Sequence, residues 1–242
     1  MRLSRIYTPQ PLQAGEQLRL EGDAAHYLGK VLRAKVGQMV RLFNEQHGEY
    51  LAEIQAVDKR GIDLQLNPSP NCLPESLLPV HIGLGLSRGE RMDYAIQKAT
   101  ELGVVSVSPL FTEHSEVKLS DERADKRTAH WQKVAISAAE QCGRCTVPTI
   151  HPPQALSEWL SGVPSGQGFI LDPEGSHGFT GAAPDQVFLL IGPEGGISSE
   201  EMKLSKSQGL LPVRLGPRVL RTETAPVVAL TALQLQWGDF RD

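Results

Sequence analysis

The rhythm of apolar and polar residues changes once along the chain, near residue 80. Before that point, "EQLRLEG", "QMVRLFN", "EYLAEIQAV" and "GIDLQLN" are short runs with partial alternation, separated by Gly, Asn and charged turns. A period of two predicts strands, so this part reads as a β-rich unit. One short helix near Ala24 to Ala34 interrupts it, with His26, Lys30 and Arg33 on one face and Tyr27 and Leu28 beside them. "NPSPNCLPESLLP", Asn67 to Pro79, holds four prolines and no periodicity, and reads as a linker.

From Val80 onward, strands alternate with helices. "VHIGLGL", "VVSVSPLF", "GFILD", "VFLLIG" and "LLPVRLG" are the strands, and a long helix is expected from Asp121 to Cys142. An earlier helix places Met92, Ile96, Ala99 and Leu102 on one face. This alternation predicts an α/β domain with a mainly parallel sheet. The expected layout is a β-rich domain over 1–70, a linker over 71–79 and an α/β domain over 80–242.

Two loops organise the second domain. "IGPEGG", Ile191 to Gly196, and "LGPRVLRTETA", Leu215 to Ala225, each follow an apolar run and each open a helix. They therefore belong at the carboxyl edge of the sheet, where open α/β folds bind ligands. Ser198 stands three residues before Glu201, a capping box for a helix ending near Gly209, and Ser87 with Glu90 repeats the pattern. The last helix, "APVVALTALQLQW", is apolar on nearly all sides and is expected to be buried, with Pro226 tolerated in its first turn. A third loop, Asp172 to Gly178, would join the first two and line a site for one adenosine-sized ligand. Neither motif loop is a Walker A sequence, and in the partial dinucleotide fingerprint at Gly83, Gly85 and Gly89 the third glycine is replaced by Arg88.

Charge and cysteines narrow the field. A net charge of −4 gives no global nucleic-acid signature. Residues 1–70 hold nine Lys/Arg against eight Asp/Glu while the remainder holds fifteen against twenty, so any RNA contact must be a local patch. Cys72, Cys142 and Cys145 are too few for a disulfide framework. "CGRC" ends a helix instead of starting one and has no second pair for zinc, so neither a redox nor a metal role is expected. No stretch approaches the roughly twenty apolar residues of a membrane span, and "MRLSRIYTPQ" lacks the apolar core of a signal peptide, which points to the cytoplasm.

"KATELG" at Lys98 to Gly103, "EQCGR" at Glu140 to Arg144, "IGPEGG" and "LGPRVLRTETA" together resemble the four signature stretches of the ribosomal RNA small-subunit uridine-N3 methyltransferase family, in the SPOUT superfamily. They come in the family's order, and "SRIY" and the "VLR" at Val31 to Arg33 fit its N-terminal domain. The resemblance implies a small PUA-like β-barrel followed by a knotted SPOUT α/β domain. It further implies S-adenosylmethionine as cofactor, small-subunit ribosomal RNA or an assembled small subunit as partner, and a homodimer. The residues it maps onto the cofactor pocket are Leu171, Gly192, Gly195, Gly196, Leu215, Leu220, Thr222, Thr224 and Ala225. Those it maps onto RNA are Arg5, Arg33, Arg88, Lys98, Arg144 and Arg218.

The implied reaction needs no metal, because the sulfonium already activates the methyl group. Uridine N3 is a weakly acidic imide, so a carboxylate must take its proton and a cation must stabilise the resulting anion. Glu223 and Arg221 are the candidates, with Arg218 second. Glu223 pairing with an arginine, and Lys98 pairing with Glu101 at i,i+3, are the plain structural alternatives. A catalytically silent RNA-binding assembly factor and a methyltransferase for transfer RNA remain open beside the main reading.

Overall fold

A computed structural model describes residues 3–68, 72–115, 117 and 119–241, so Ser69, Pro70 and Asn71 of the expected linker lie outside the described residues. The chain divides into two compact units, Met1–Pro74 with Ala139–Val147, and Glu75–Ala138 with Pro148–Asp242.

The first unit is built on strands β1 (Arg5–Tyr7), β2 (Gln17–Leu20), β3 (Met39–Asn44), β4 (Gly48–Val57) and β5 (Ile62–Pro68), in sheet order β1-β3-β4-β5-β2. β1 runs parallel to β3 and the other pairings are antiparallel. Alternate residues such as Val40, Leu42, Ala52, Ile54, Leu64 and Leu66 form one core, which explains the period of two in the sequence. β1, only three residues long, was too short to be read as a strand. The helix near Ala24 is α1 (Gly22–His26), which widens into a π turn over Tyr27–Val31. Leu28 is buried and Arg33 leaves the turn exposed, with φ of 52°.

Arg5 is the centre of the packing around the 139–147 segment. Its Nε donates to Glu49 Oε2 at 2.6 Å, Nη1 to the Ala139 carbonyl at 2.7 Å and Nη2 to the Arg144 carbonyl at 2.9 Å. Its guanidinium also lies 4.2 Å from the Phe43 ring centroid. With its side chain 7% exposed, it has no face left for a phosphate, and Arg144 is buried as well. The expectation that Arg5 and Arg144 contact RNA is therefore corrected: Arg5 ties β1 to the end of the long helix, and "SRIY" and "EQCGR" meet as a structural joint. Glu140, whose Oε1 accepts the Tyr7 N–H at 3.0 Å, belongs to the same joint. Burial pushes its carboxyl above the usual range, against the opposing pull of that hydrogen bond and of Arg5.

Cys72 and Cys145 form a disulfide beside this joint, with Cα atoms 5.8 Å apart, while Cys142 is free. Three cysteines are too few for a disulfide framework, but they do supply this one cross-link. The partners are 73 residues apart in sequence, a separation that spacing rules do not address.

The second unit holds strands β6 (Val80–Gly85), β7 (Ser106–Phe111), β8 (Thr149–Ile150), β9 (Gln154–Ala155), β10 (Gly168–His177), β11 (Val187–Ile191) and β12 (Leu211–Arg214). The order is β12-β10-β11-β6-β7-β8, with β9 beside β7, and the pairings are parallel. Around them lie α2 (Arg91–Glu101), α3 (Asp121–Cys142), α4 (Leu156–Ser161), α5 (Ser199–Ser207) and α6 (Ala225–Trp237). β6 is buried along almost its whole length, as expected of a parallel strand covered on both faces.

Two local expectations change. Ser87 does not cap α2: Glu90 is the N-cap residue with no side-chain cap, and the Ser87 hydroxyl donates to the Gly85 carbonyl at 3.4 Å. α6 is buried on one side only, through Ala229, Leu230, Leu233 and Gln234, while Leu235 is 56% exposed. Gln234 anchors it, donating to the Leu102 carbonyl at 3.0 Å and accepting from Ser76 Oγ at 2.7 Å. Among the described residues, no helix is long and apolar enough to cross a membrane.

Candidate functional site

β10, β11 and β12 are adjacent and parallel, so the chain leaves all three at the same sheet edge. The bulged stretch of β10 and the loops that follow β11 and β12 surround a cavity of about 650 Å³, and the expected loop from Asp172 to Gly178 is largely part of β10. Leu171 to Pro173 form one wall, Ile191 to Glu194 with Gly196 and Ile197 a second, and residues 213–216 and 218–223 a third.

The first motif loop is held on three sides. The Ser198 capping box fixes its exit, with Ser198 Oγ accepting from the Glu201 N–H and the Glu201 carboxylate accepting from the Ser198 N–H. Gly85 fixes its floor: a Cβ there would stand 2.5 Å from Pro193, so the glycine in β6 exists to seat the loop. Gly195 fixes its outer side, where a Cβ would lie 2.7 Å from His114 Cβ, and the Gly195 carbonyl is 2.9 Å from His114 Nδ1. Gly195 thus packs against His114, between Glu194 and Gly196, which line the cavity. The left-handed turn itself falls on Gly196, with φ of 73°.

Glu194, from the same loop, reaches over the helix start of α2. Burial works against its ionisation, yet hydrogen bonds from its own backbone amide, the Arg91 guanidinium, Ser87 and the Arg88 N–H outweigh that and hold the carboxyl below its usual range. Arg91 pairs with Glu194 and also places Nε 3.8 Å from Glu223 Oε2. It therefore ties the first motif loop to the second, a role that sequence reasoning missed because nothing in the spacing around Arg91 singles it out.

In the second loop, the Arg221 carbonyl accepts from the Thr224 and Ala225 N–H groups at 2.9 Å each, which closes a turn directly before α6. This turn buries Thr222, leaves Arg218 and Arg221 exposed and holds the Glu223 side chain at 21% exposure. Leu171, Gly192, Gly196, Leu215, Leu220, Thr222 and Ala225 all line the cavity, as do Arg218, Arg221 and Glu223. Thr224 does not: it lines a second, more open hollow of about 850 Å³ with Arg88, Gly89, Glu90, Arg91, Tyr94 and Glu223. Lys98 makes the i,i+3 pair, its Nζ 2.7 Å from Glu101 Oε1. Arg33 lies in the first unit.

Residues 74–234 match the model of an RNA methyltransferase domain, and residues 20–67 match that of an RNA methyltransferase PUA domain. Among curated relatives, the ribosomal RNA small subunit methyltransferase E of Buchnera aphidicola from Schizaphis graminum is 34% identical, over 98% of this chain and 98% of its own. The protein of the same name from Bacillus subtilis is 30% identical, over 95% and 94%. Among solved structures, a protein from Legionella pneumophila in complex with bound SAM is 38% identical, with a TM-score of 0.94 over 99% of this chain and 100% of that one. A ribosomal RNA small subunit methyltransferase E from Neisseria gonorrhoeae, bound to S-adenosyl methionine, is 33% identical with a TM-score of 0.92 over the same shares. Fold, motif loops and full-length similarity agree, and the chain belongs to the ribosomal RNA small subunit methyltransferase E family.

Proposed function

We propose that this chain uses S-adenosylmethionine to methylate N3 of a uridine in small-subunit ribosomal RNA. The observation that carries this reading is the cavity at the carboxyl ends of three adjacent parallel strands, walled by both motif loops. Its walls suit the cofactor. Leu171, Ile191, Leu215 and Leu220 offer apolar surface to a flat ring, Gly192 and Gly196 expose backbone polar groups, and Thr222 adds a hydroxyl. When bound, the cofactor supplies an activated methyl group.

The chain's own residues supply the rest. Glu223 takes the N3 proton, and Arg221 stabilises the anion that spreads onto the two flanking carbonyl oxygens, with Arg218 next in line. Arg91 holds the Glu223 carboxylate at the cavity wall. Arg33, Arg88, Lys98 and Arg218 contact phosphates, which position the RNA without selecting the base. In this reading, residues 1–70 grip RNA, 71–79 connect, and 80–242 form a SPOUT-type knotted domain that does the chemistry in the cytoplasm. Two copies pair through α6, where the exposed Leu235 gives apolar surface. Naked RNA and the assembled small subunit are both substrates of the right chemistry.

The first test is thermal unfolding with and without S-adenosylmethionine. A ligand at a hundred times its Kd adds about 2.7 kcal/mol of stability. An unmoved transition at saturating cofactor contradicts the pocket. A shift without any methyl transfer identifies a silent assembly factor on the same scaffold.

A further inference from the structure

The second hollow is distinct from the cofactor cavity. It opens beside the start of α2 and shares Arg91 and Glu223 with the cofactor cavity, so the two spaces meet at that ion pair. Tyr94 forms part of its wall and is 46% exposed. Arg91, Tyr94 and Lys98 follow one another at spacings of three and four on one helix face, and Lys98 Nζ lies 5.8 Å from the Tyr94 ring centroid. An exposed aromatic ring in the wall of a hollow, with a cation one helical turn away on either side, is the arrangement on which unstacked bases are held, since every base has a π-face and every nucleotide a phosphate.

The chemistry of the shared wall is specific to one base edge. Uracil presents a carbonyl, an N–H and a second carbonyl in that order. A guanidinium donates to a carbonyl and a carboxylate accepts from the N–H. Cytosine, with an unprotonated N3 and an amino group beside it, offers the opposite pattern to the same pair. An enzyme that acts on a ring atom must also take the base out of its stack to reach it.

We propose that this hollow receives the extruded target uracil, stacked on Tyr94, with its imide edge read by Arg91 and Glu223 and turned toward the cofactor cavity. The proposal rests on the methyltransferase reading above and adds to it the seat of the substrate base. Tyr94 is a platform, and Arg91 a specificity-determining contact.

The test is single-turnover transfer of labelled methyl to small ribosomal subunits from a strain lacking the activity, using the full chain with Tyr94→Phe, Tyr94→Leu or Tyr94→Ala. Cofactor affinity and melting temperature are measured on each variant. Tyr94→Phe is expected to keep the wild-type rate, while Leu and Ala lose roughly ten- to a hundredfold, the cost of one lost base stack. Cofactor affinity and melting temperature should not move. A purely structural role would be met by Leu, which fills the same space, so a wild-type rate in Tyr94→Leu overturns the proposal. Loss of cofactor affinity in step with rate also overturns it, by placing Tyr94 in the cofactor cavity. A wild-type protein that binds cofactor but transfers no methyl brings down the methyltransferase reading and this proposal together, and that outcome is recognisable before any variant is made.

Discussion

The molecule holds two clusters of arginine and glutamate that look alike in sequence and differ in every physical respect. In the first unit, Arg5 and Arg41 meet Glu49, whose side chain is 1% exposed, and the remaining Arg5 donors are spent on backbone carbonyls. In the second unit, Arg91, Arg218, Arg221, Glu194 and Glu223 stand on the walls of one cavity, with Arg91 42% and Glu223 21% exposed. Ion pairs buried and saturated in this way hold a fold together, because removing one partner strands the other in a low-dielectric interior. Ion pairs left partly solvated and bordering a cavity retain donors and acceptors for a ligand. Saturation and exposure, then, separate scaffold from site here, and membership in a signature motif does not.

The comparison breaks first at Arg5. Arg5→Ala leaves Glu49 short of a partner and removes the guanidinium donors from the Ala139, Glu140 and Arg144 carbonyls, and is expected to cost about 3 to 5 kcal/mol in denaturant unfolding. If the protein still folds, the salt dependence of RNA binding should be unchanged. A shallower slope with full stability would return Arg5 to the phosphate contacts.

Arg221→Ala is the opposite case. No stability should be lost, because the side chain is exposed. The single-turnover rate should fall by roughly a hundred- to a thousandfold, the cost of one missing donor to a developing anion, with both binding constants nearly intact. Lysine should restore only part of the rate, since an ammonium lacks the planar two-donor fork. Cofactor affinity falling in proportion to rate would make Arg221 a brace of the pocket.

The disulfide sharpens the same contrast. Cys145→Ser opens a cross-link spanning 73 residues and is expected to lower stability by about 2 to 4 kcal/mol through the unfolded chain. Methyl transfer at a temperature where the variant stays folded should be unaffected. Lost transfer in a folded variant would tie the joint to the site.

The smallest effect is a pH dependence of stability away from the site. Burial, reinforced by nearby His151 and opposed by a bond to Gln186, holds His81 below its ordinary value of 6.5, and its Nδ1 is 2.8 Å from Ser106 Oγ. Its folded value is depressed, so its contribution is present above the ordinary histidine range and lost as pH falls through the folded value. The melting temperature should decline on mild acidification, and His81→Gln should flatten that decline. An equal slope in the variant would assign the effect to other groups.

What could be read in the sequence was what short stretches determine. The capping box at Ser198, the span of α3 and the convergence of the two motif loops at one sheet edge all rest on neighbours within a few residues or on a regular period, whereas the expected third loop, Asp172 to Gly178, is largely the bulged end of β10. Arg5 could not be read, because its partners lie 44, 134 and 139 residues away. Arg91 was hidden for the same reason, with Glu194 103 residues distant. The His114 contact of Gly195 could not be read either, because a glycine signals close approach without naming what approaches. β8, β9 and α4, of two, two and six residues, carry too few periods to register.

The central claim is tested most directly by incubating the protein with labelled S-adenosylmethionine and small ribosomal subunits lacking the modification, then digesting the RNA and separating its nucleosides. Label is expected in N3-methyluridine alone, formed roughly a hundred- to a thousandfold more slowly with Arg221→Ala and retained in Cys145→Ser. Label in any other nucleoside, or none with cofactor bound, would contradict it.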